Sequence, residues 1–170
     1  MVYATCYDAK GRGGKELEKL GINVQQLDVT KEDQWDKVIA HISEKSHVLW
    51  GLVNNAGWST FGNIEWVPTE TYQKIVDINI FGLLKAVQKT APLIRPAQGR
   101  IVTVTSGLVR GPASGRSAYV LTKYAGVGMM EVLRYEMKRF GVQVSLILDT
   151  KYSQYVAKML SKCSRNVAEM

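Results

Sequence analysis

Five short apolar runs alternate with amphipathic stretches along this chain, and that alternation narrows its possible folds more than any other feature. "VYATCY", "INVQQLDV", "LWGLVNNAG", "GRIVTVTS" and "VQVSLIL" read as strands. Between them, "GGKELEKLG" reads as a short helix closed by Gly21, and "TKEDQWDKVIAHISEKS" as a helix with Thr30 as its N-cap and Trp35, Val38, Ile39 and Ile42 on one face. A long helix is predicted from about Thr69 to Leu93, with Tyr72, Ile75, Val76, Asn79, Gly82, Leu83, Ala86 and Val87 inward. "SAYVLTKYAGVGMMEVLRYEMKRFG" is another long helix, ending at Gly141. Apolar strands separated by helices imply a parallel sheet covered on both faces, and right-handed crossovers make it doubly wound. This α/β domain is expected over residues 1–150. Residues 151–170 form a tail in which Tyr152, Tyr155, Val156, Met159, Leu160 and Cys163 fit one face of an amphipathic helix.

The 170 residues suffice for one domain with a core. The net charge of +7 raises the question of nucleic acid, but the basic residues are scattered in runs of at most two. An anionic cofactor or substrate is a simpler expectation. Lys158, Lys162 and Arg165 in the tail leave membrane-surface association open. No apolar run approaches the ~20 residues that span a bilayer, and no signal peptide is visible. Cys6 and Cys163 form no CxxC pattern, which argues against a disulfide framework or a zinc site.

"SGLVRGPASGRSAYVLTK" holds the first chemical candidates, Ser106, Tyr119 and Lys123. Tyr119 and Lys123 are four residues apart, so they stack on one helical face. A free phenol titrates near ~10 and is a poor base at neutral pH. A lysine ammonium one helical turn away favours the phenolate, which makes such a pair a workable proton-transfer group. Ser106 ends a predicted strand, where ligands of open α/β sheets bind, and a hydroxyl there can donate to a substrate oxygen. Asn79 interrupts an apolar stripe, so its amide either is satisfied within the core or holds a water for a proton relay. "NNAG", Asn54 to Gly57, permits a tight turn and close approach of a ligand. "KGRGGK" lies between a strand and a helix as a phosphate loop would, but Glu16 occupies the third glycine position of G-x-G-x-x-G. It reads as a surface turn.

Together, NNAG, the Ser106–Tyr119–Lys123 set and Asn79 in "DINIFG" resemble the classical short-chain dehydrogenase/reductase family in order and spacing. The resemblance runs from about residue 2 to 148 and implies a Rossmann-type fold. In wording, "WGLVNNAGWSTFG", "PLIRPAQGRIV", "RSAYVLTK" and "LRYEMKRFGVQVS" resemble the hydroxybutyrate dehydrogenase branch most, with retinol and 17β-hydroxysteroid dehydrogenases somewhat less similar. The resemblance implies reversible hydride transfer between a secondary alcohol and a nicotinamide. Tyr119 would be the general acid/base, and Lys123 would support it and hold the nicotinamide ribose. Ser106 would polarise the substrate oxygen, and Asn79 would anchor the relay water. Asp28 and Val29 would meet the adenine, and Asn55, Ala56 and Gly57 would line the cofactor. Asp8 would take the ribose hydroxyls of NAD, while Lys10 and Arg12 leave NADP possible. Arg110 and Arg116 flank the serine–tyrosine segment and are candidates for a substrate carboxylate.

The similarity begins at the family's second strand. The first strand and its glycine-rich turn are therefore expected to lie outside this chain, as in a partial or spliced product or an incomplete gene model. After Leu148 the family's Pro-Gly turn is replaced by "DTKYSQYVAKMLSKCS". A mitochondrial location, a homo-oligomeric state and a small alcohol or ketone substrate are further expectations from the resemblance. The endoplasmic reticulum and cytoplasm are alternative locations, and a non-catalytic interaction protein is an alternative of another class.

Overall fold

The computed structural model describes residues 1–149, so the tail at 151–170 and its amphipathic reading lie outside the described residues. Five strands appear where the apolar runs predict them: β1 (Tyr3–Cys6), β2 (Asn23–Gln26), β3 (Gly51–Asn54), β4 (Arg100–Ser106) and β5 (Gln143–Asp149). Every pairing is parallel, which confirms the α/β class. The strands form two sheets rather than one, β1–β2 and β3–β4–β5.

The connecting helices are α1 (Arg12–Lys19), α2 (Glu32–Lys45), α3 (Thr69–Val76), α4 (Gly82–Ile94) and α5 (Ser117–Lys138). Gly21 and Gly141 follow α1 and α5 with φ of 75° and 69°, the left-handed conformation that ends a helix at little cost for glycine. Thr30 does not cap α2. Its hydroxyl donates to Asp28 Oδ1 instead, and α2 begins after Lys31 without a side-chain cap. The predicted long helix Thr69–Leu93 is real but contains a π-helical turn at Asp77–Phe81, between α3 and α4. Such turns are rare and concentrate at functional sites.

Two apolar clusters lie against the strands. Val87, Ala91 and Ile94 of α4 meet Ile101 of β4, Met130, Leu133 and Met137 of α5, and Val144 of β5. Trp35, Val38 and Ile42 of α2 meet Leu27 and Ala86, with Tyr3 of β1 and Leu52 of β3 packed against them. Thus α2, α4 and α5 form one layer beneath both sheets. Coverage of both faces was expected, yet among the described residues the other side is more open: Gln143 and Ser145 are exposed and Val102 is half-buried.

Backbone proximity at the β3–β4 boundary gives a direct test. A Cβ at Gly99 would lie 1.9 Å from the Trp50 carbonyl oxygen, which accepts the Arg100 N–H at 3.0 Å. Relief requires β3 and β4 to separate, so Gly99→Ala is expected to cost about 2–3 kcal/mol in urea denaturation. A loss below about 0.5 kcal/mol would show that the junction yields freely. No helix among the described residues is long and apolar enough to cross a membrane.

Candidate active site

The carboxyl ends of β3 and β4 and the start of α5 bring the chemical candidates together. Ser106 is the last residue of β4, and its Oγ accepts the Leu108 N–H at 3.3 Å, capping the 3₁₀ turn Gly107–Val109. That bond leaves the hydroxyl hydrogen available to a ligand. The α5 helix packs against this turn and against β4.

Tyr119 and Lys123 stand one turn apart in α5, with Lys123 Nζ 5.5 Å from the Tyr119 ring centre. Lys123 Nζ also donates to the Val104 carbonyl at 3.2 Å. Burial alone pushes its ammonium below the usual lysine range. The NNAG turn approaches from the side: a Cβ at Gly57 would lie 3.5 Å from Asn79 Oδ1 and 3.7 Å from Lys123 Nζ. Gly57, Asn79 and Lys123 thus share one small space. Ala56 and Gly57 are exposed, Asn55 is half-buried, and Asn54 Nδ2 donates to Thr103 Oγ1 at 3.3 Å.

Asn79 sits in the π-helical turn and is buried. Its Oδ1 accepts the Trp58 N–H at 2.7 Å, while Nδ2 donates to the Trp58 carbonyl and to Thr122 Oγ1, both at 2.9 Å. Thr122 in turn donates to the Tyr119 carbonyl at 2.8 Å. Asn79 therefore ties the segment after NNAG to the helix carrying Tyr119 and Lys123. Thr122 escaped the sequence reading; the signal was a hydroxyl one turn beyond Tyr119 on the inward side of α5. Tyr72 was read only as part of an apolar stripe. Its hydroxyl and that of Ser117 lie 2.6 Å apart, which docks α3 on the first turn of α5.

Arg116 immediately precedes α5. Its guanidinium carbon lies 4.1 Å from the Phe61 ring centre and 4.8 Å from that of Tyr119, and Nη2 donates to Ser59 Oγ at 2.8 Å. Its Nε is buried with no hydrogen-bond partner among the described residues. Arg110 is exposed, and no hydrogen bond, ion pair or ring contact links it to Tyr119.

The candidates for the adenosine end lie after β1 and β2. Asp8 is exposed in the turn before α1; of "KGRGGK", read as a surface turn, only Lys10 and Gly11 lie in that turn, and Arg12 to Lys15 form the first turn of α1. Asp28 Oδ1 accepts both the N–H and the hydroxyl of Thr30, at 2.9 and 2.7 Å. Partial burial pushes the Asp28 carboxyl up. The Thr30 bonds, with Lys31 and Lys85, outweigh this and hold it below the usual carboxylate range. Val29 packs against the second helical segment: a Cβ at Gly82 would lie 2.6 Å from Val29 Cγ2.

The short chain dehydrogenase family model matches residues 6–158, and the chain belongs to that family. It is 36% identical over 156 residues to the mitochondrial D-beta-hydroxybutyrate dehydrogenase of Bos taurus, covering 86% of this chain and 45% of that protein. It is 34% identical over 151 residues to retinol dehydrogenase 7 of Mus musculus, covering 86% of this chain and 47% of that one. A short-chain dehydrogenase structure from Streptomyces avermitilis superposes with a TM-score of 0.81 at 24% identity, covering 90% of this chain and 57% of the other. The chain thus spans about half the length of the curated relatives it matches.

Proposed function

We propose that these residues form the proton-transfer half of an NAD(P)-dependent oxidoreductase that interconverts a secondary alcohol and a ketone. The observation that carries this reading is the placement of Lys123 between the Tyr119 ring and the Gly57–Asn79 corner. The bare Gly57 corner, beside an ammonium that donates to the Val104 carbonyl, suits the hydroxyls of a nicotinamide ribose. When bound, the nicotinamide supplies hydride acceptance and donation. Tyr119 takes the proton from the alcohol oxygen, or returns it in the reverse direction, and Ser106 donates a hydrogen bond to that oxygen. Lys123 favours the phenolate while it is charged. Asn79 holds the corner in register, and a relay water at this residue belongs to the same proposal. Asp8, Asp28, Val29, Asn55, Ala56 and Gly57 are the proposed cofactor contacts, with NAD the leading choice and NADP the alternative.

Within that class we favour a short hydroxy acid of the 3-hydroxybutyrate kind, and a mitochondrial setting with it. Arg116 supports this choice, because its stacked guanidinium lies over Tyr119 and keeps one buried N–H unpartnered. Retinol and hydroxysteroids are the rival substrates. The test uses protein extended to the full length of the relatives. Saturable NADH binding and faster oxidation of 3-hydroxybutyrate than of retinol or a hydroxysteroid support the reading; preference for the apolar alcohols overturns the hydroxy-acid choice. Absence of saturable NADH binding overturns the enzyme itself and favours a non-catalytic interaction protein. In the same protein, Arg116→Leu is expected to raise KM for 3-hydroxybutyrate about 10- to 100-fold, with a smaller change in kcat. An unchanged KM would remove Arg116 from the substrate site.

A further inference from the structure

The amino ends of β4 and β5, opposite the Ser106 end, carry cations that the proposed chemistry does not use. Arg95 and Arg139 are the residues immediately after α4 and α5, and Arg100 opens β4. β4 has seven residues, so at ~3.3 Å per residue this edge lies on the order of 20 Å from Ser106. Each of the three guanidiniums rests on an aromatic ring. The guanidinium carbons of Arg95 and Arg139 lie 4.5 and 4.7 Å from the Phe140 ring centre. That of Arg100 lies 4.4 Å from the Trp50 ring centre.

Arg95 and Arg139 share one ring, so like charges stand close together. Arg12 and Arg134 each hold a glutamate, but among the described residues no carboxylate lies within ion-pair distance of Arg95 or Arg139. Glu136, one turn before Arg139, lines the same cleft with Tyr135 and Met137 and pairs with neither. A helix C-terminus is partly negative, which accounts for a cation at each position. A cation serving only that end would donate to the terminal carbonyls, and neither side chain makes a hydrogen bond among the described residues. Stacking covers the guanidinium faces and leaves their N–H edges free. Forks held in this way are in place before a ligand arrives, which lowers the ordering cost of binding.

We propose that Arg95 and Arg139, held by Phe140, form a binding site for a phosphate-bearing anion, either free or carried by a lipid headgroup. Both guanidinium distances run to one ring centre, so the forks are no farther apart than those two distances added, a span that a diphosphate covers. A phosphate dianion takes hydrogen bonds from both forks, whereas a single carboxylate satisfies one. Arg100 adds attraction on the same edge, since its backbone pairs with Gln143, three residues beyond Phe140. Glu136 opposes it. The site lies at the other end of the sheet from Tyr119 and does not require the dehydrogenase reading.

The test is calorimetric titration of the full 170-residue chain with inorganic pyrophosphate at low salt. Saturable binding is expected, weakened about tenfold or more by Arg95→Gln or Arg139→Gln, because each removes charge-assisted hydrogen bonds. Glu136→Gln is expected to tighten binding about two- to threefold, a gain that no misfolded variant produces. Arg12→Gln removes an equal charge from the exposed pair with Glu16 and is expected to change affinity less than about twofold. Co-sedimentation with phosphatidylcholine vesicles, with and without phosphatidic acid, separates the two sources. Pyrophosphate binding lost in the Arg95 and Arg139 variants assigns a soluble phosphate. Binding confined to the phosphatidic acid vesicles, and lost in the same variants, assigns a lipid headgroup. Three results overturn the proposal: no saturable binding of either probe, parental affinity in both Arg95→Gln and Arg139→Gln, or an equal loss in Arg12→Gln.

Discussion

Lys123→Met is expected to lower kcat at least about a hundredfold in protein extended to the relatives' full length, and to raise stability by about 1 kcal/mol. Both effects follow from one position. The ammonium stands beside the Tyr119 ring and the Gly57 corner, where it is useful to the proposed chemistry. It is also half-buried, donates to the Val104 carbonyl, and loses hydration there, which disfavours its charged form. Methionine keeps an unbranched apolar stem and removes the desolvation cost. The sign of the pH dependence follows. A lysine depressed in the folded state costs stability below its folded pKa, and the cost fades as pH rises towards the unfolded value near ~10.4. The stability advantage of the variant is therefore largest below the folded pKa of Lys123, shrinks as pH rises through it, and is lost above about pH 10.4. Paired thermal denaturation at neutral and alkaline pH measures this. A variant less stable than the parent at neutral pH would show that the ammonium is a net structural asset.

Asn79→Leu is expected to destabilise the chain by about 2–4 kcal/mol. Leucine matches the side chain in size but makes none of its three bonds. The Trp58 N–H and C=O lose their side-chain partner, and Thr122 Oγ1 loses a donor. Half-buried Trp58 can recover water only by moving outward, and that movement carries Gly57 with it. Urea denaturation gives the stability, and the near-ultraviolet signal of Trp58 reports the loop. A loss below about 1 kcal/mol would mean that water replaces the amide at little cost, and Asn79 would then be a weak anchor.

The helices and strands were legible because their signals are local. The Tyr119–Lys123 spacing needs only the helical repeat to place both groups on one face. Gly21 and Gly141 terminate helices through their own backbone freedom. Thr30 shows where a local rule fails: its hydroxyl had two local uses, capping α2 or bonding Asp28, and the Asp28 bond prevails. The π-helical turn at Asp77–Phe81 was invisible because apolar periodicity hardly changes when one turn widens. Its inward asparagine was noticeable, but the partners of that asparagine were not.

Sequence by itself determined the order of elements, their parallel pairing, the family, and which residues could carry proton transfer. The elements follow from periodicities and spacings of a few residues, and the family from the resemblance carried by NNAG, Asn79 and the Ser106–Tyr119–Lys123 set. Only the tertiary structure decided that Asn79 binds Trp58 and Thr122, 21 and 43 positions away, and that Arg116 reaches Ser59, 57 positions away. It alone placed both sheets on one helical layer, through Tyr3 and Leu52 packed on the same cluster. Contacts of that range depend on how whole elements stack, and the packing that fixes them is shared among many side chains rather than written at any one position.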